Sequence, residues 1–250
     1  MKLIDSYILH TQRETLDYKI LQKLKYMLGK LLNFHNYLLA PGKLRKEIEK
    51  YSEPCLQLGS GSGSFGEASK HFITNYINTD IFGCYAIDAT HKIGLPENSL
   101  TTIFSSHLIE HLYQKDIDRL LANSIRVLKP GGRFIVATPD LQKICSKLYS
   151  SKESVREEML ERHSRSLLGR KPTPARILNC VMHINYGHKF ALDFDTFEDL
   201  AFNAGFCNIS AIEVDDIGDP HLITYFANKP ERYWVETSIW VAIKPETREK

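Results

Sequence analysis

The chain has 250 residues, enough for one sizeable α/β domain with an insertion or a small helical appendage. Hydrophobic content of 43% and charged content of 25% are those of an ordinary soluble globule. A net charge of +2 provides no strong basic field, which ranks a nucleic-acid partner below a small molecule.

Leu16, Ile20, Leu21, Leu24, Met27, Leu28, Leu31 and Leu32 recur at helical spacing, so a helix is predicted over Leu16 to Leu39, with lysines on much of its other face. It is expected to pack on the core or over a ligand pocket; the competing reading is a peripheral anchor on anionic membrane. Pro41-Gly42 is expected to stop it, and Lys43 to Lys50 reads as a second short helix. Residues 1–50 are thus read as a helical segment ahead of a domain over 51–250.

Cys55-Leu56-Gln57-Leu58 then runs as an apolar strand into Gly59-Ser60-Gly61-Ser62-Gly63-Ser64-Phe65-Gly66 and a helix. Alternate glycines let the chain turn sharply and remove Cβ atoms that would hold a ligand off the backbone. The helix that follows offers unpaired N–H groups. Asp80 ends a second apolar run, Tyr76 to Thr79, at the distance where an acid meets ribose hydroxyls in dinucleotide folds. Read from Gly61, the glycines also fit a nicotinamide or flavin enzyme.

Further on come Tyr85-Ala86-Ile87-Asp88-Ala89, Gly94-Leu95-Pro96, a strand over Thr101 to Ser106, and the helix-like Leu108 to Leu112. Arg126 to Pro139 closes a helix and opens a strand, with Pro130 preventing helix continuation and Gly131-Gly132 making a turn. Residues 141–190 break the alternation with charge-rich helical text, Glu153 to Arg165, and a tract rich in His, Asn and Tyr. An insertion there lies beyond the strand C-termini, where an acceptor enters an open α/β sheet. Asp195 is expected to cap the next helix, and strands over Asn208 to Val214 and near Tyr233 to Ile243 follow. Cys55, Cys84, Cys145, Cys180 and Cys207 show no C-x-x-C spacing, and neither a secretory signal nor a bilayer-length apolar run is visible, so the expected compartment is the cytoplasm.

The order of these features resembles the class I S-adenosylmethionine (SAM)-dependent methyltransferases: glycine turn, ribose acid, adenine-edge acid, Leu-Pro segment, Ser105-Ser106-His107 with Glu110-His111, and Leu128-Lys129-Pro130-Gly131-Gly132. Gln57 stands where such enzymes commonly carry an acid. The resemblance implies a doubly wound, mostly parallel, seven-stranded Rossmann-like sheet with N-terminal helices and a helical insertion after strand 5. It implies SAM as cofactor, with Gly59, Ser60, Gly61, Gly63 and Ser105 around it, Asp80 on the ribose, Ile81 on the adenine face, and Asp88 with the Ala89 N–H on the adenine edge. The implied reaction is methyl transfer to oxygen or nitrogen of a small metabolite, sugar or glycan precursor. A SAM-binding module without turnover and an NAD(P)-dependent reductase are the competing readings. His107 is the first choice for a base, with His188 as the alternative. No metal is expected, because the His107/His111 spacing supplies two ligands and no third or fourth.

Overall fold

The computed structural model describes residues 34–61, 72–81, 85–164, 169–184 and 187–246. Gly63, Cys84, Tyr186 and most of the predicted N-terminal helix, with its membrane-anchor alternative, lie outside them. Among the described residues no helix is long and apolar enough to cross a membrane.

The first described helix, α1 (Phe34–Ile48), runs through Pro41 instead of stopping there. Ala40, Leu44 and Ile48, at helical spacing, are buried in the main core. A Cβ at Gly94 would lie 2.8 Å from Pro41 Cβ, so the proline ring sits against a bare backbone. Burial of this stripe offsets the hydrogen bond that a helical proline forfeits. The expected second helix is therefore the C-terminal half of α1.

Among the described residues six strands form one sheet, in the order β2-β1-β3-β4-β6-β5. They are β1 (Cys55–Leu58), β2 (Tyr76–Thr79), β3 (Leu100–Ser106), β4 (Leu128–Pro139), β5 (Cys207–Ile212) and β6 (Thr237–Ile243). The pairs β1/β2, β1/β3 and β3/β4 are parallel, and β4/β6 and β5/β6 are antiparallel, so the sheet is mixed. The segment expected as a further strand, Tyr85 to Ala89, contributes one isolated bridge, Asp80 to Ala86, among the described residues. Asp88 folds back on Thr90 directly afterwards, which turns the backbone away from the strand direction.

Successive residues in the central strands serve opposite faces. Ile103, Phe134, Val136 and Trp240 pack with Ile117, Leu120 and Leu121 of α2 (Gln114–Val127) and Phe197 and Ala201 of α6 (Phe194–Asn203). Phe104, Ile135, Ala137, Ile239 and Val241 face Leu222, Tyr225 and Phe226 of α7 (Pro220–Ala227). Helices thus cover both faces, the doubly wound arrangement that places ligand loops at the strand C-termini.

The insertion contains α3 (Leu141–Leu148), α4 (Glu153–Ser164) and α5 (Pro174–Asn179), followed by a π-helical turn, Cys180–Ile184. Ile144, Leu148, Met159, Ile177 and Val181 give it a core of its own. Polar ties fix it to the sheet: Glu236 Oε1 meets His163 Nε2 at 2.6 Å and Arg162 Nε at 3.0 Å, and Lys143 Nζ donates to the Thr237 carbonyl. Three local expectations are corrected. The cap of α6 is Asp193, which accepts from Thr196 N at 3.0 Å, while Asp195 lies in the first turn near the positive helix end. Gly131-Gly132 forms a bulge inside β4, where Thr101 alone separates pairings that span Leu128 to Arg133 on the other strand. The last strand begins at Thr237, because Glu231–Trp234 forms a short helix, α8.

Candidate active site

The C-terminal ends of β1 and β2 bring the glycine turn and Asp80 together. Gly59 and Gly61 both have φ +67°, where a side chain is strained. Leu108 packs against Gly59 so closely that an added Cβ would come within 3.1 Å of it. Gly59→Ala is therefore expected to cost at least roughly 1–2 kcal/mol of stability, the left-handed backbone penalty, read as a lowered Tm. An unchanged Tm would show that the turn relaxes freely.

Asp80 holds this turn in shape. Its Oδ2 accepts from Gly61 N at 2.8 Å and its Oδ1 from Ile81 N at 2.7 Å. Ser60 N donates to the Thr79 carbonyl at 2.9 Å, which stitches the turn to β2. Each carboxylate oxygen keeps acceptor capacity beyond these bonds, and the group is only half-buried, so a cis-diol can still reach it.

Asp88 lies beside this region because Ile87 N donates to the Asp80 carbonyl at 2.8 Å. Its carboxylate is buried and accepts from Thr90 N and Thr90 Oγ1 at 3.0 and 2.6 Å, and it faces His91 Nδ1 at 3.2 Å. Ala89 is buried next to it. Ser105 is completely buried in β3, paired with Leu58 and Val136. Gln57 is buried in β1, where its carbonyl accepts from Thr79 Oγ1 at 2.7 Å.

Just past β3, His107 has φ +51°, an uncommon conformation for a residue with a side chain. Its backbone N–H is held by the Ala137 carbonyl at 2.9 Å. The imidazole Nδ1 lies 3.1 Å from Glu110 Oε1, and Nε2 lies 3.2 Å from Thr237 Oγ1. The Tyr233 ring stands edge-on at 5.0 Å, and its hydroxyl shares a 2.9 Å hydrogen bond with Ser106 Oγ. Burial pushes the Tyr233 phenol upward, so it stays protonated. Glu110 itself is 2% exposed and sits in a 3-10 turn, Ile109–His111. Burial pushes its carboxyl up, but the hydrogen bond and charge of His107 outweigh this and hold it below the usual range. Thr138 Oγ1 donates to its other oxygen at 3.1 Å.

His188 arrives from the C-terminal end of the insertion. Lys189 N and Phe190 N both donate to the Glu110 carbonyl, at 2.8 and 3.3 Å, and the His188 and His111 rings lie 4.9 Å apart. His188 is buried, and that burial pushes its imidazole down to about 4, leaving it uncharged near neutral pH. Of the two candidate bases His107 is the accessible one, with 38% of its side chain exposed. Glu110, Thr237 and Tyr233 as neighbours of His107 were not legible in the sequence, apart from Glu110's place in the same motif. A separate open cleft of about 890 Å³ lies at the other end of the strands, lined by Cys55, Tyr76, Thr102 and Arg133, away from the glycine turn.

Residues 56–136, from β1 through most of β4, match the family model described as a methyltransferase domain. Over this segment, about a third of the chain, the protein is similar to the methyltransferase domains that use SAM. SAM is the methyl donor of that family. No curated protein sequence matches the chain. Among solved structures, a SAM-dependent methyltransferase from Archaeoglobus fulgidus is 17% identical with a TM-score of 0.44, covering 82% of this chain and 93% of that one. Phosphoethanolamine N-methyltransferase 2 of Haemonchus contortus, in complex with SAM, is 15% identical with a TM-score of 0.41 and 82% of this chain covered. This chain spans about half the length of the Haemonchus contortus protein, 53%.

Proposed function

We propose that the glycine turn and Asp80 bind SAM, and that its methyl group is transferred to an oxygen or nitrogen of a small metabolite, sugar or glycan precursor. The observation that carries the reading is the Asp80 carboxylate, fixed by Gly61 N and Ile81 N at the mouth of a turn in which Gly59 and Gly61 carry no Cβ. The donor supplies an electrophilic methyl group. The chain's residues have to exclude water and align the acceptor, which can account for much of the acceleration.

His107 takes the acceptor's proton in this reading. With Nδ1–H donated to the Glu110 carboxylate, Nε2 keeps a lone pair, which now accepts from Thr237. An acceptor hydroxyl that replaces Thr237 as donor is then held by a base whose tautomer the buried carboxylate fixes. The insertion, tied to β6 through Glu236 and Thr237, forms one wall of the acceptor pocket. Domain limits of 51–250, with the insertion at about 141–190, and a cytoplasmic location belong to the same proposal.

The test is transfer of a labelled methyl group from SAM into fractionated metabolites, with sugars and glycan precursors as separate pools. Label in a small-molecule fraction that depends on Asp80 supports the reading; label only in nucleic acid, or none in any fraction, contradicts it. Asp80→Ala is expected to weaken SAM binding by about 1–3 kcal/mol, the loss for removing one partner of a hydrogen-bonded pair. Calorimetry checks this, and an unchanged affinity would remove Asp80 from the ribose site.

A further inference from the structure

We propose that Glu110, His111 and His188 bind one divalent transition-metal ion. Their donor atoms, one carboxylate oxygen and two imidazole nitrogens, all lie within 4.8 Å of one another. An ion with bonds of roughly 2.0–2.2 Å spreads its ligands over about 3–4 Å, so closure needs a contraction of less than about 2 Å.

Two independent features give this cluster the character of a site. The first is how it is assembled: Glu110 and His111 come from the turn after β3 and His188 from the C-terminal end of the insertion. The two segments are locked together by Lys189 N and Phe190 N on the Glu110 carbonyl. The second is the carboxylate. Glu110 is 2% exposed, and buried carboxylates are paired with a cation or bind metal. Its oxygens already have the outer partners that orient metal-binding carboxylates, His107 Nδ1 on Oε1 at 3.1 Å and Thr138 Oγ1 on Oε2 at 3.1 Å.

Two imidazoles and one carboxylate suit zinc, iron(II), cobalt(II) or nickel(II), in preference to calcium or magnesium. Three protein ligands leave at least one position for water or an oxygen ligand, as in sites that do chemistry. A hydroxyl bound there would lose its proton more easily. Metal binding by these three residues is independent of whether a methyl donor binds.

The experiment uses the full chain without an affinity tag, stripped with a chelator, dialysed, and titrated with cobalt(II) and zinc(II). One ion per chain is expected, with a visible cobalt(II) spectrum of mixed nitrogen and oxygen ligation. His111→Ala and His188→Gln should each weaken binding at least about tenfold, whereas His91→Ala, on an exposed histidine outside the cluster, should leave it unchanged. Melting curves accompany each variant. Because a buried variant can unfold, the wild-type chain supplies a second reading. Zinc(II) should shift the imidazole resonances of His111 and His188 and leave those of His91 and His221 in place. Equal affinity in wild type and a folded His111→Ala variant, or shifts confined to His91 or His221, would overturn the proposal.

Discussion

Replacing His107 by alanine is expected to lower turnover by about two to four orders of magnitude, the usual contribution of a positioned general base, with SAM affinity nearly unchanged. Three contacts hold the ring in place: Glu110 on Nδ1, Thr237 on Nε2 and the Tyr233 ring beside it. Only the first polarises the imidazole, so Glu110→Gln should reduce turnover while leaving the ring in position. His107→Gly separates chemistry from strain. At φ +51° glycine is at ease where alanine is not, so the glycine variant should melt above the alanine variant yet be equally slow. Steady-state kinetics with SAM and the labelled acceptor measures both effects. Near-normal turnover in His107→Ala would mean that positioning an already nucleophilic acceptor is sufficient.

Trp240→Ala is expected to destabilise the fold by about 3–5 kcal/mol, the range for emptying a large aromatic site in a packed core. Trp240 is completely buried at the centre of β6, opposite Val136 on β4 and Ala211 on β5. Its ring stacks on Phe197 at 5.3 Å and meets Phe194 edge-on at 6.2 Å. The indole Nε1 has no hydrogen-bond partner among the described residues. Trp240→Phe should therefore cost much less than the alanine change, since it removes an unsatisfied donor along with the lost contacts. Denaturant unfolding distinguishes the two, and equal losses would mean that the indole N–H is satisfied in solution.

The parts of the site legible in the sequence are those whose chemistry is local. A glycine turn after a short apolar run and an acid after the next need only their neighbours to be recognised, and Asp80 does meet Gly61. Local signals failed where tertiary packing overrode them. Pro41 reads as a helix stop, yet the buried stripe of Ala40, Leu44 and Ile48 carries α1 past it. Asp193 and Asp195 are both acids ahead of the same helix, and only the backbone geometry selects the first as cap. Tyr85 to Ala89 has the apolar character of a strand, yet among the described residues it pairs only through the bridge from Asp80 to Ala86 before Asp88 turns back on Thr90. Long-range clusters were illegible for a different reason. His188 is separated from Glu110 by nearly the whole insertion, and no periodicity connects them. Their meeting depends on Lys189 and Phe190 both reaching the Glu110 carbonyl.

The proposed chemistry depends most heavily on which ligand the glycine turn and Asp80 hold. Calorimetric titration of the full chain with SAM, S-adenosylhomocysteine, NADH and NADPH tests this directly. Both sulfur-containing ligands are expected to bind at one site per chain and to compete with each other, and neither nicotinamide nucleotide is expected to displace them. Binding of NADH or NADPH, with no heat and no thermal shift from either SAM or S-adenosylhomocysteine, would contradict that expectation.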